Sequence, residues 1–282
     1  MNRVHKLSTN MLTFIGYGFP LAMGFILGLI GAGGSILTIP ILVYFFDIKP
    51  IIATSYSLII VGIAALVGAI RYWQHKQVNI HAAIIFAIPA MLTIFITRTY
   101  LVHYLPDPFL TIHNLTISND LFIMLLFASL MILASIFMLK PHKIVLISAT
   151  KTTHYKKIIR FINLIICSSG IGFLSGLIGT GGGFLIIPTL IGIFKLNVKE
   201  AIGTSLTIIA FNSLIGFSGD LIVGIDLNWT LIAVFLSFTL LGIWIGTSMG
   251  KGIKAENLKK SFGYFTLVIA IYVITKELYT LL

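Results

Sequence analysis

Two stretches of the chain carry residues whose types and spacing suit them to hold a charged ligand. Residues 28–40 read GLIGAGGSILTIP and residues 176–188 read GLIGTGGGFLIIP, and the two agree at nine of thirteen positions. Glycine in a helix interior costs about 1 kcal/mol relative to alanine, so each cluster breaks the helix it sits in. The half-helix that starts after such a break offers backbone N–H groups with no helical partner and the positive end of its dipole. Together these make a binding place for a small anion. Gly31, Gly33, Gly34 and Ser35 in the first stretch, and Gly179, Gly181, Gly182 and Gly183 in the second, are therefore the candidate binding residues. A Thr-Ser pair follows each break: Thr54–Ser55 in KPIIATS (49–55) and Thr204–Ser205 in KEAIGTS (199–205). These pairs lend hydroxyls to the same ligand or cap the helices they begin. Asn212, polar within the apolar run 201–219, is a ligand contact or interhelical glue. Pro40 and Pro188 close the two motifs and are assigned structural roles. Gly242, Gly246 and Gly250, spaced four apart, form a stripe for close helix crossing.

The elements that must position these residues are read from the apolar pattern. The chain has 282 residues, 58% hydrophobic and only 10% charged, where a soluble domain carries about 25% charged residues. Apolar runs fall at 11–30, 35–46, 51–70, 80–97, 121–139, 158–178, 183–194, 201–219, 229–249 and 262–280. Most are long enough to cross a bilayer. With no barrel-type alternation, this predicts an all-α, polytopic membrane protein that meets the lipid bilayer along its length. The runs 35–46 and 183–194 rise only about 18 Å as helices, too little for a core of about 30 Å. Both directly follow a glycine break and are expected to be half-helices or re-entrant arms.

The order of long run, break, short run and three further spans occurs twice. This predicts a duplication: a transmembrane repeat over 11–140, a basic cytoplasmic linker over 141–157 and a second transmembrane repeat over 158–282. It gives two homologous repeats, each a Gly-broken helix plus three transmembrane helices, about eight transmembrane segments in all. Charge tests the topology. If each broken segment enters and returns as a hairpin, loops 71–79, 140–160, 195–200 and 250–260 all face the cytoplasm and hold fourteen of the 19 Lys and Arg residues. A single crossing by each broken segment spreads the charge nearly evenly. The positive-inside rule therefore favours the hairpins, inverted repeats and both termini outside. The length of 11–30 speaks for the other arrangement.

Other chemistry is poorly supplied. The net charge of +11 suits loops at anionic lipid headgroups, and no nucleic-acid-binding signature accompanies it. Cys167 is alone, which excludes an internal disulfide, and is expected as a small buried hydrophobe. The apolar run after Arg3, His5 and Lys6 lacks a small-x-small cleavage site and has a mid-chain relative, so it is expected to stay uncleaved. The histidines show no paired spacing, so no metal is expected, and no cofactor either: neither cluster continues into the Lys-Ser/Thr of a P-loop. Arg71, Arg98 and Asp220 fall at the ends of spans, so no buried carboxylate relay is visible. GFSG at 216–219 matches the G-x-S-G of rhomboid-type intramembrane proteases, with Ser218 as nucleophile, but every histidine precedes it in the chain.

The paired G-L-I-G-x-G-G-[SG]-x-L-x-I-P motifs, each followed by a [GA]-T-S helix start, resemble the TauE/SafE family of membrane permeases over essentially the whole chain. The resemblance implies a secondary transporter in the cell membrane, such as a bacterial inner membrane. Its substrate would be a small sulfur-containing or organic anion such as sulfite or sulfoacetate; a proton or a sodium ion is the candidate coupling ion, and the residues do not choose between them. A channel or an accessory subunit without transport of its own is the other non-enzymatic reading. Ser35 in place of a further glycine, and Ala53 where the second half has Gly203, depart from strict repetition.

Overall fold

The computed structural model describes residues 18–31, 34–104, 109–112, 115–139, 154–249 and 255–281. Gly33, Gly250, the N-terminal stretch through residue 17 and most of the central linker lie outside these residues. The helices are α1 (Gly18–Ile30), α2 (Ser35–Phe46), α3 (Pro50–Gln74), α4 (Ile80–Ile96), α5 (Asn119–Leu139), α6 (His154–Ile178), α7 (Gly183–Phe194), α8 (Val198–Val223), α9 (Trp229–Met249) and α10 (Ala255–Leu281). Helix α6 begins at His154 and so takes in the last residues assigned to the linker. A turn of π-helix, Thr97–Leu101, and a 3-10 turn, Val102–Tyr104, extend α4. Among the described residues, five helices are long and apolar enough to cross a membrane, with shorter apolar helices beside them. The protein is a multi-pass, all-α membrane protein. Among the described residues its one sheet is a two-stranded antiparallel ribbon, β1 (Leu110–Ile112) on β2 (Leu115–Ile117), which the apolar-run reading passes over because three-residue strands leave no run to see.

Local chemistry sets the helix ends. Pro50 opens α3, where its missing N–H costs nothing. Asn79 and Asn197 cap α4 and α8, their side-chain oxygens accepting from the N–H of Ala82 (3.0 Å) and Glu200 (2.9 Å). Helices α2 and α7 both stop at a left-handed residue, Asp47 and Lys195, whose N–H closes back onto Leu42 and Leu190.

Helices α3 and α8 form the centre and run antiparallel: Gly62 lies against Leu214, and Gly68 against Leu206. Helix α4 packs on α6 and α8, α9 on α3, and α5 on α10, where Ser135 Oγ donates to the Gly263 carbonyl (2.7 Å). Gly242 and Gly246 of α9 lie against the backbone of α1 at Leu21 and Phe25, and Gly24 and Gly28 answer from α1 against Thr239 and Ile243. On the other side, Gly172 and Gly176 of α6 lie against Ala90 and Thr97 of α4. Small residues at these crossings let backbones touch, which substitutes for a hydrophobic drive that lipid does not supply.

The first broken segment turns back on itself. Thr38 Oγ1 donates to Met23 Sδ (3.0 Å), Gly34 lies against Met23 and Leu27, and the rings of Phe19 and Phe45 are 4.5 Å apart. Contacts that move down α1 as they move up α2 define a hairpin, not a single crossing. The outer surface is apolar: Ile84, Ile88, Leu92 and Ile96 line one exposed face of α4 while Ala83, Ala87, Ala90 and Ile94 line its buried face. Cys167, expected inside, is exposed on α6 beside exposed Ile166. A sulfhydryl on a lipid-facing helix position needs no protein partner.

Candidate functional site

The break between α6 and α7 is built from three glycines with left-handed backbone: Gly179 (φ 76°), Gly181 (φ 68°) and Gly182 (φ 74°). Side chains are disfavoured there, both by this backbone and by what surrounds it. A Cβ at Gly179 would strike the backbone of Thr54 on α3, and one at Gly181 would strike Ser213 Oγ on α8. A Cβ at Gly182 would press on Ile171 and approach Ser175 of α6. Helix α7 then starts at Gly183 with Gly182 as its N-cap and no side-chain cap. The Gly182 carbonyl accepts from the N–H groups of Leu185 (3.0 Å) and Ile186 (3.2 Å).

Buried polar atoms that lack a protein partner occur in the break and on the helices that pack by it. These are Ser175 Oγ on α6, Thr180 Oγ1 in the break, Ser213 Oγ on α8, both side-chain atoms of Asn212, and Ser57 Oγ one turn beyond Thr54 on α3. Burying a hydroxyl or amide without a hydrogen bond costs about 1–3 kcal/mol. A group of them at one helix break and on the helices packed by it points to a ligand or water that completes them.

Beside the break lies a buried ion pair. Arg98, at the start of the π turn, and Asp220, near the end of α8, are both fully buried. Arg98 Nε donates to Asp220 Oδ1 (2.7 Å), and Nη2 donates to Asp220 Oδ2. Nη2 also donates to Ser55 Oγ (2.6 Å), while Nη1 donates to Thr54 Oγ1 (2.9 Å) and the Gly176 carbonyl (3.3 Å). One guanidinium thus joins α3, α6 and α8. Arg98 and Asp220 do lie at span ends, as the sequence places them, but both are buried in the packed interior rather than facing outward. The sequence held the signal. Arg98 continues the buried stripe Ala83, Ala87, Ala90, Ile94, and Asp220 continues Ser213 and Gly216 at helical spacing.

The first break is placed differently. Gly31 (φ 78°) ends α1 and would press a Cβ onto Ile202. Ser205 Oγ lies 3.0 Å from the Gly31 carbonyl and 2.8 Å from the Ile202 carbonyl. Thr204 Oγ1 accepts from the Asn79 N–H (2.9 Å). Gly34 abuts Met23 and Leu27, and fully buried Ser35 opens α2. Each break therefore meets the Thr-Ser pair of the other half. Gly31 touches α8 at Ile202 and Gly181 touches it at Ser213, a separation of about 16 Å along the helix. The sequence candidates thus fall into two groups along α8, with Asn212 beside the second. Pro40 and Pro188 lie inside α2 and α7, each one turn and a half from the start.

At the far end of the α3–α8 pair stands Arg71, partly exposed. Its Nη1 donates to Thr247 Oγ1 (2.8 Å), the Trp244 carbonyl (3.0 Å) and Ser248 Oγ (3.3 Å), and its guanidinium carbon lies 5.5 Å from the centre of the Trp244 ring. No carboxylate among the described residues pairs with it. Ser218 Oγ donates to the carbonyl of Ile215 in its own helix (2.7 Å).

The family model described as sulfite exporter TauE/SafE matches residues 18–273. The chain belongs to this family. A protein of Xylella fastidiosa strain Temecula1 named "Probable membrane transporter protein" is 29% identical over 266 residues, covering 90% of this chain and 92% of its own. The Bacillus subtilis "Probable membrane transporter protein YunE" is 25% identical over 271 residues, with 90% and 92% covered. A probable membrane transporter protein of Methanocaldococcus jannaschii is 30% identical over 203 residues, 69% of this chain and 68% of its own. No solved structure matches the chain. A family of membrane transporters implies a transported substrate and no enzymatic reaction, so the Ser218 protease reading has no support from it.

Proposed function

We propose that this member of the TauE/SafE family is a secondary transporter of a small anion, sulfite or a related sulfur-containing or organic anion. The observation that carries this reading is the group of unpartnered buried polar atoms at the second break, Ser175, Thr180 and Ser213, beside the uncapped start of α7, with buried Asn212 next to Ser213 in the chain. The hydroxyls and the Asn212 Nδ2 group are donors, and the helix start adds N–H groups and a partial positive charge. That donor set suits an oxyanion. Gly179, Gly181, Gly182 and Gly183 keep side chains out of the way; Thr54, Ser55 and Asn212 complete the site. Gly31, Gly34 and Ser35, with Thr204 and Ser205, form the corresponding passage on the other side of the path; Gly33 lies outside the described residues.

The same reading takes 11–140 and 158–282 as inverted repeats of about eight spans. It is supported by the antiparallel run of α3 and α8, which occupy equivalent places in the two halves, and by the α1–α2 hairpin. Paired broken helices at a repeat interface are where transporters hold their substrates.

The test is flux in proteoliposomes with sulfite, thiosulfate, sulfate, sulfoacetate and small carboxylates, under imposed proton or sodium gradients. Saturable flux of one anion is expected, lost in Gly33→Leu and Gly181→Leu while membrane insertion persists. No flux of any anion, or normal flux in both variants, would overturn the reading.

A further inference from the structure

The Arg98–Asp220 pair and its surroundings go beyond a rigid strut. We propose that Arg98 and Asp220 form a proton-operated anion gate, in which a proton taken up by the Asp220 carboxylate releases the Arg98 guanidinium to the transported anion. One proton then accompanies each anion past this end of the path. The proposal rests on the anion-transport reading above and names the coupling ion and the residue that carries it.

Three observations lead there. The pair is in contact with the break: Arg98 donates to the Gly176 carbonyl, three residues before Gly179, and to Thr54, whose backbone meets Gly179. Opening this end must therefore break the bonds Arg98 makes. The polar atoms left without partners, Ser175, Thr180 and Ser213, belong to the same break. An anion that completes them arrives where Asp220 already supplies a negative charge, and a buried like charge opposes it. Neutralising Asp220 removes that opposition and leaves Arg98 as an uncompensated cation.

The two ends of the α3–α8 pair also differ. At the far end Arg71 occupies the comparable place, the end of α3 against the end of α9, with hydroxyl and carbonyl partners but no carboxylate. Arg71 is thus a cation without a carboxylate partner among the described residues, whereas Arg98 is paired until a proton arrives.

Among the described side chains, Asp120 of α5 also lies by this end of α3, its Oδ1 accepting the Ile51 N–H (3.2 Å) one turn before Thr54. On α3 the facing groups are the Thr54 and Ser55 hydroxyls; Tyr56 accepts the Asn228 N–H (2.6 Å), and Arg71 and Tyr72 are at the other end. On α4 and its π turn, His81 lies at the opposite end and Tyr100 is 67% exposed. On α6 the facing group is the Gly176 carbonyl, with Cys167 exposed further back. Lys199 and Glu200 sit at the distant start of α8. In the gating step a proton from water on one side binds an Asp220 oxygen, the Arg98 N–H bonds to that carboxylate open, and the anion takes their place. On the other side anion and proton leave and the pair re-forms. No covalent bond between heavy atoms changes.

The test uses the full-length protein in proteoliposomes with an entrapped pH indicator. Of sulfite, thiosulfate and sulfoacetate, the anion with the largest wild-type flux serves as probe, with protein-free vesicles correcting for leakage. Wild type is expected to acidify the lumen as the anion enters, and its KM to rise with pH by up to about tenfold per unit once Asp220 ionises. Asp220→Asn, which mimics the protonated side chain, is expected to bind the probe with a KM independent of pH and to move it without a proton. Flux by wild type without proton movement, or unchanged proton coupling in Asp220→Asn, overturns the gate but leaves anion transport standing. Absence of any wild-type flux overturns the transport reading itself. Should Asp220→Asn fail to fold, infrared difference spectra decide. Adding the probe to wild type, and to Asp220→Glu, is expected to produce a protonated-carboxyl stretch. No such band at any pH overturns the gate.

Discussion

Substituting alanine at Gly181 and then relieving it at Ser213 tests how the second break is held. Gly181 has φ 68°, a conformation that costs an L-residue about 1–2 kcal/mol. Its new Cβ would collide with Ser213 Oγ and sit 3.0 Å from Ile209 Cγ2. Overpacking of that kind costs about 1–3 kcal/mol, so Gly181→Ala should lose about 2–5 kcal/mol in all. Ser213→Ala alone removes a buried hydroxyl without a partner and should be neutral or stabilising. In the double variant the collision with Ser213 is gone, leaving the backbone cost of about 1–2 kcal/mol and the tight contact with Ile209 Cγ2. The two substitutions should therefore be strongly non-additive, as contacting residues are. Denaturant or thermal unfolding of the purified protein in detergent reads the stabilities, and flux reads function. Ser213→Ala should weaken anion affinity even where it restores stability. A stable Gly181→Ala, or no rescue by Ser213→Ala, would refute the reasoning.

The remaining expectations concern the ion pair, the other glycine and the topology. Arg98→Met alone should destabilise by about 3–5 kcal/mol because it strands a buried carboxylate, whereas Arg98→Met with Asp220→Leu should recover most of that loss in unfolding assays and still carry no anion. Gly179→Ala should not be rescued by trimming a neighbour, since its Cβ meets the carbonyl oxygen and backbone of Thr54; unfolding midpoints of Gly179→Ala with and without Thr54→Ser check this. In a Cys167→Ala background, cysteines at exposed His75 and exposed Asp226 should label from opposite sides of the membrane, because antiparallel α3 and α8 end on opposite faces; labelling from one side would contradict the antiparallel arrangement.

Much of the architecture is legible in the residues because membranes impose a simple code. A lipid core demands long apolar helices, so the runs 35–46, 183–194 and 229–249 coincide with α2, α7 and α9 end to end. Glycine clusters mark breaks because no other residue tolerates left-handed backbone there at little cost, and Gly31, Gly179, Gly181 and Gly182 all adopt it. The short ribbon and the exposed position of Cys167 were not legible: three-residue strands leave no periodic trace, and hydrophobicity cannot tell a lipid face from a packed face.

What the sequence determined by itself was the class of protein, the places where helices break and the family, since these follow from composition and local backbone preference. Only the tertiary structure decided which groups meet across those breaks. Arg98 and Asp220 are 122 residues apart, and nothing local links them. They pair because α4 and its π turn pack against α8, where Gly216 lies against Ile94 and Gly219 against Arg98 and Thr99. In the same way each break meets the Thr-Ser pair of the other half, because α3 and α8 cross the centre in opposite directions. Packing, not local preference, decides that Arg98 meets a carboxylate.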